Sequence, residues 1–151
     1  MAGTTLTPGP LVGLDPGRSK CGLVLTDPER TAIVAASVLP PEQAVEQLLN
    51  WHRQTALAAV VLGNGTGSRA WQGRLQTVVP LQLVDERNTT LAARQRYWQL
   101  QPARGWRRLL PRGLRQPPRD WDDVVAQLLV ERWLERPLPR RLQNLARTVN
   151  T

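Results

Sequence analysis

Apolar residues fall first into short runs and later into helical spacing, with turn-forming residues between. The run "LVGLD" (11–15) is nearly continuous and ends on an acid, which suits a central strand covered on both faces. "PGRSK" turns the chain into "CGLVL" (21–25), and "TDPER" turns it again into "TAIVAASVL" (31–39). Turns this short make the three strands antiparallel neighbours. "PPEQAVEQLLNWHRQ" (40–54) opens with prolines and Glu42 and repeats Ala44, Leu48 and Trp51 on one face, the pattern of an amphipathic helix. "LAAVVLG" (57–63) predicts a fourth strand, "RAWQGRLQTVV" (69–79) a short helix and "LQLVD" (81–85) a fifth strand. A helix is expected from about Thr89 to Tyr97 or Leu100, then a proline-punctuated loop over 102–120. "WDDVVAQLLVERWLE" (121–135) predicts the last long helix, ended by Pro137 and Pro139, with a further helical piece in "RRLQNLARTVN". Residues 1–10 form a flexible leader, 11–135 the domain and 136–151 a C-terminal tail. A meander followed by alternating helices and strands gives an α/β mixed five-stranded sheet with helices on both faces.

Charge adds a partner to this picture. The 151 residues carry 20 basic and 12 acidic side chains, a net +8, unevenly spread. Residues 1–86 balance at −1, whereas residues 87–151 reach +9, and 87–119 hold nine arginines and no acid. A polyanion is the natural partner of such a surface, because each neutralised phosphate releases counterions. A single cysteine excludes an internal disulfide and fits a cytoplasmic setting. No apolar stretch reaches the roughly 18 residues of a membrane span.

Acids recur at the ends of elements. Asp15 ends the first strand, Asp85 and Glu86 end the fifth, and Asp122 and Asp123 open the last helix. Singly, each has a plain reading as a turn residue or helix cap. Together they form an all-oxygen donor set for Mg²⁺ or Mn²⁺, the cofactors suited to phosphodiester hydrolysis. Consecutive strand residues point to opposite faces, so Asp85 and Glu86 cannot both reach such a site if the strand stays regular. Nothing else in the chain competes for chemistry. His52 lies on a helix and reads as packing, there is no Cys/His cluster with metal-ligand spacing, and "GNGTGS" lacks the Lys-Ser/Thr of a phosphate-binding loop.

"GLDPGRSKCGLVL" resembles the first motif of the YqgF family, the Holliday-junction-resolvase-like proteins, with Gly13, Asp15, Gly17 and Gly22 in place and Lys20 at a usually basic position. "DERNTTLAAR" resembles the family's D-E-R-x-T-T element through Asp85, Glu86, Arg87, Thr89, Thr90 and Ala93. "DDVVAQLLVERWL" resembles its last helix, with Asp122 at the acidic position. The resemblance covers about residues 11–134. It implies a ribonuclease H-like fold and a metal-dependent nuclease of the kind associated with trimming the 5′ end of precursor 16S ribosomal RNA. It makes Asp15, Asp85, Glu86 and Asp122 the catalytic and metal-binding candidates, with Asp123 as the alternative to Asp122. Lys20, Arg87, Arg104, Arg107, Arg108, Arg112, Arg115 and Arg119 are the candidate phosphate contacts, with Trp106 available for stacking. The loop "LGNGTGSR" (62–69) departs from the family's usual G-x-P and the long basic loop is also unusual, a variant like cyanobacterial forms; both departures bear on substrate. Three readings follow: a ribonuclease acting on structured precursor RNA, a resolvase of branched DNA working as a homodimer, and a non-catalytic nucleic-acid-binding scaffold, with the chain itself a monomer or homodimer.

Overall fold

The computed structural model describes residues 7–65, 67–87 and 122–143, with Ala92, Gln95, Arg96 and Gln99 between them. The described elements are β1 (Leu11–Asp15), β2 (Cys21–Thr26), β3 (Ile33–Leu39), α1 (Pro41–Gln54), β4 (Ala59–Gly63), α2 (Ser68–Leu75), β5 (Leu81–Val84) and α3 (Asp122–Leu134). They build one mixed sheet in the order β3-β2-β1-β4-β5. β1, β2 and β3 pair antiparallel, as their short turns require, whereas β4 and β5 run parallel to β1 after their helical crossovers. This is the mixed five-stranded α/β sheet that the apolar pattern predicts.

Strand alternation sends two sets of side chains to opposite faces. Val12, Leu14, Leu23, Leu25, Val60 and Leu62 meet Ala44, Leu48 and Trp51 of α1 and Trp71 and Leu75 of α2. Leu11, Val24, Ile33, Ala59 and Val61 meet Ala126, Leu129, Val130 and Trp133 of α3. Helices therefore cover both faces, and β1 and β4 in the middle are buried on each, which explains their unbroken apolar runs.

The observed boundaries differ from the expected ones for local reasons. β3 starts at Ile33 rather than Thr31, because Asp27 accepts hydrogen bonds from the backbone N–H of Thr31 (2.7 Å) and of Ala32 (2.9 Å), closing a turn in which Arg30 takes φ 61°. α2 ends at Leu75 rather than Val79, where the chain tightens into a turn in which Val78 N–H donates to Leu75 O at 2.9 Å. His52 is structural as expected, its Nδ1 accepting the Leu57 N–H at 3.0 Å. The expected helix over about 89–100 and the basic loop over 102–120 lie outside the described residues except for four positions.

Most of the expected helical piece at the C-terminus, residues 144–150, lies outside the described residues; the segment before it is not helical. Through Gln143 that segment is extended and runs along the β3 edge. Ile33 N–H donates to Pro139 O, Arg141 N–H to Ile33 O and Gln143 N–H to Val34 O, each at 2.8 Å. Leu138 is buried in the α3 face of the core, so this strap is part of the domain.

Candidate active site at the ends of the parallel strands

β1, β4 and β5 share a direction, so their C-terminal ends lie together, the place where open α/β sheets bind ligands. Asp15 closes β1 and pairs in register with Gly22 of β2. A Cβ on Gly22 would collide with the main chain of Asp122, which shows how closely the start of α3 lies on the sheet. One turn further along, a Cβ on Gly13 would strike the Ala126 carbonyl. The two glycines therefore form a floor on which α3 sits at backbone distance, and that floor brings Asp122 beside Asp15.

The paired acids after the fifth strand are free to part, because regular structure ends at Val84. Asp85 turns back on its own loop, its Oδ1 accepting the Arg87 N–H at 2.9 Å, and its side chain is 59 % exposed. Glu86 folds over β4 instead. Added Cβ atoms at Gly63 and Gly65 would both collide with its carboxylate, so the glycine loop is a cradle for that side chain. The turn is pinned by Asn64, whose Oδ1 accepts the Glu86 N–H at 3.3 Å, and by Arg132, which donates to Asp85 O at 2.6 Å.

The electrostatics report the same grouping. The Asp15 carboxyl is pushed up to about 7 by burial first, then by the negative charges of Asp122 and Glu86. Three acids from three distant parts of the chain thus share one electrostatic environment. Asp123, the alternative to Asp122, is buried and spent on a 3.0 Å ion pair with Arg140. Cys21 is a neighbour that sequence reasoning did not single out. Burial raises its thiol, the charges of Asp15 and Asp122 push the same way, and its Sγ lies 3.8 Å from the Gly17 carbonyl.

Lys20 and Arg87 are exposed beside this end of the sheet. Arg104, Arg107, Arg108, Arg112, Arg115 and Arg119, with Trp106, lie outside the described residues. Arg96, the one described arginine between residues 88 and 121, is structural. It pairs with buried Glu131 at 3.1 Å and donates to the Leu138 carbonyl at 2.9 Å.

Among the described residues, no three His, Cys, Asp or Glu side chains stand close enough as placed to share one ion. The donor chemistry nonetheless fits a hard divalent cation, since Asp15, Glu86 and Asp122 offer only carboxylate oxygens. The raised Asp15 carboxyl marks excess negative charge that such a cation would offset.

No family model matches the chain. It is 35% identical over 100 residues to a protein of Pelotomaculum thermopropionicum named "Putative pre-16S rRNA nuclease"; the match spans 55% of this chain and 65% of that protein. In three dimensions it is similar to T. thermophilus RuvC, solved in complex with a Holliday junction substrate, at a TM-score of 0.49 and 15% identity, over 84% of this chain and 94% of that one. No described helix is long and apolar enough to cross a membrane.

Proposed function

We propose that this chain is a YqgF-type nuclease that hydrolyses phosphodiester bonds in structured RNA with the help of Mg²⁺ or Mn²⁺, its substrate being the 5′ region of precursor 16S ribosomal RNA. The sequence resemblance and the name of the curated relative agree on this reading. The observation that carries it is the coupling of Asp15 to both Asp122 and Glu86, from elements far apart in the chain and at the ends of parallel strands.

Asp15, Glu86 and Asp122 would hold the ion, and Asp85 would shape the turn that aims Glu86. When bound, the cation supplies Lewis-acid stabilisation of charge building up on phosphate oxygens. Each protein group then has a defined task. Asp15, raised to about 7, would keep its proton below neutrality and give it up to a bound divalent cation, so cation affinity should rise as pH rises towards about 7. The glycine cradle keeps the Glu86 carboxylate against β4, and the Gly13–Gly22 floor fixes the height of Asp122. Exposed Lys20 and Arg87 flank the pocket, where they would pair with the phosphates of the bound strand.

The test offers a precursor 16S 5′ leader fragment and a four-way DNA junction side by side, with Mg²⁺ or with chelator, to the wild type and to Asp15→Asn. Mg²⁺-dependent cleavage of the RNA, lost in Asp15→Asn, is expected. Cleavage of the junction alone would replace RNA processing with junction resolution. Equal cleavage by wild type and variant would remove the proposed site.

A further inference from the structure

Asp123, Gln127 and Glu131 follow one another at four-residue spacing on α3, and all three are buried. They form a polar stripe on a helix whose other buried residues, Val124, Ala126, Leu129, Val130 and Trp133, are apolar. The C-terminal strap answers this stripe group by group. Arg140 donates from Nη1 to Asp123 Oδ2 at 3.0 Å and from Nε to Gln127 Oε1 at 2.7 Å. Leu138 N–H donates to Glu131 Oε2 at 2.6 Å, and Gln127 Nε2 donates to the Leu138 carbonyl at 3.1 Å. The same strap is hydrogen-bonded to the β3 edge on both sides of Arg140, through Pro139 and Arg141. One segment therefore ties the first turn of α3 to the sheet.

The placement matters because of what stands next to Asp123. Successive helix residues are about 100° apart around the axis, so fixing Asp123 fixes where Asp122 points. On the other side the main chain of Asp122 rests on Gly22. The turn is thus gripped from below by the glycine floor and from outside by Arg140. Stability alone is a poor account of the grip, since a buried ion pair often gains little over apolar packing, and Arg140 Nη2 is buried without a hydrogen-bond partner among the described residues. Orientation is the better account. We infer that Arg140 is a positioning residue, which by holding Asp123 sets the rotation and height of the first turn of α3 and so the place of Asp122 against Asp15. Its consequence for rate rests on the proposed nuclease reading; its geometric content does not.

The experiment compares Arg140→Gln, Arg140→Lys and Asp123→Asn with Arg136→Gln, a change in the same strap that removes a bond to the Arg30 carbonyl instead. All are assayed well below their melting temperatures. Arg140→Gln and Asp123→Asn should each lower kcat by about 10- to 100-fold, the range seen when an orienting partner of a ligand is lost. KM for RNA should stay unchanged and the Mg²⁺ requirement should rise. The double variant should lose no more than either single one, because the two groups act as a unit. Arg140→Lys keeps the charge but cannot hold Asp123 and Gln127 in one fork, so it should fall between. Arg136→Gln should keep kcat. Folded Arg140→Gln and Arg140→Lys with wild-type kcat would overturn the inference. Should the wild type cleave nothing, the nuclease reading fails, and the crystal structure of Arg140→Gln decides this one. Asp122 displaced from Asp15 upholds it, and Asp122 in place overturns it.

Discussion

The two faces of the sheet are covered by different means. Under α1 and α2 the contact is made by volume, with leucines, valines and two tryptophans filling the space between side chains. Under α3 the contact is made by approach, with the helix backbone lying on Gly13 and Gly22. Its far side is held by the polar groups Asp123, Gln127 and Glu131. Cutting back a side chain on the first face costs stability but displaces no functional group. The second sets the position of Asp122 and has little room to adjust. The face that carries the acids is the one built for position.

The contrast breaks first at the glycine floor. Gly13→Val should cost about 3 kcal/mol or more, because the new side chain meets the Ala126 carbonyl, a main-chain atom that cannot swing aside. Thermal denaturation should show the loss, and the surviving folded fraction should not cleave RNA. Leu48→Ala on the other face should cost a similar amount, roughly 2–5 kcal/mol. Its folded fraction should keep the wild-type kcat, which separates stability from placement.

A finer comparison lies within the pair at 85 and 86. Glu86→Gln should lower kcat by about 100-fold, close to 2.7 kcal/mol of barrier. Asp85→Asn should leave kcat near that of the wild type, since Asp85 is exposed and turned towards Arg87. Equal losses from both would mean that the glycine cradle does not select between them.

Asp15 gives the α3 face a pH signature. Its folded value of about 7 lies above the usual 3.8, so the folded chain keeps a proton that the unfolded chain has already released. The sign follows: the stability from this group is complete below 3.8 and is lost as pH rises through about 7. Without divalent cations, Asp15→Asn should melt at about the wild-type temperature in acid and above it at pH past 7. Added Mg²⁺ should narrow the gap at high pH by binding the folded wild type. The smallest effect belongs to the volume-built face. Arg74→Ala removes an exposed pair with Glu42 and a cation–π contact with Trp71, and should cost under about 1 kcal/mol by thermal melting with no change in cleavage.

What the chain discloses in sequence follows from how local each cause is. β1 to β3 are readable because their apolar runs and tight turns are set by neighbouring residues. Gly13, Asp15 and Gly22 are readable because they fall in one motif. The turn that parts Glu86 from Asp85 is not, since it depends on Asn64 and on Arg132 of a distant helix. The separation of Asp122 from Asp123 is hidden for the same reason, because Arg140 lies beyond two prolines. The strap itself has no periodicity to betray it, as Leu138 is a single apolar residue between Pro137 and Pro139 and pairs with an edge formed far earlier in the chain. Asp123, Gln127 and Glu131 stand at i, i+4 and i+8, which in sequence reads as the solvent face of an amphipathic helix; their burial depends on the distant strap.

The central claim is that Asp15, Glu86 and Asp122 bind one divalent cation site. Anomalous diffraction from crystals soaked in Mn²⁺ tests it without reference to substrate. The account predicts a peak ligated by Asp15 and by at least one of Glu86 and Asp122, absent from Asp15→Asn crystals soaked in the same way. Peaks confined to other carboxylates, or an unchanged peak in the variant, would contradict it.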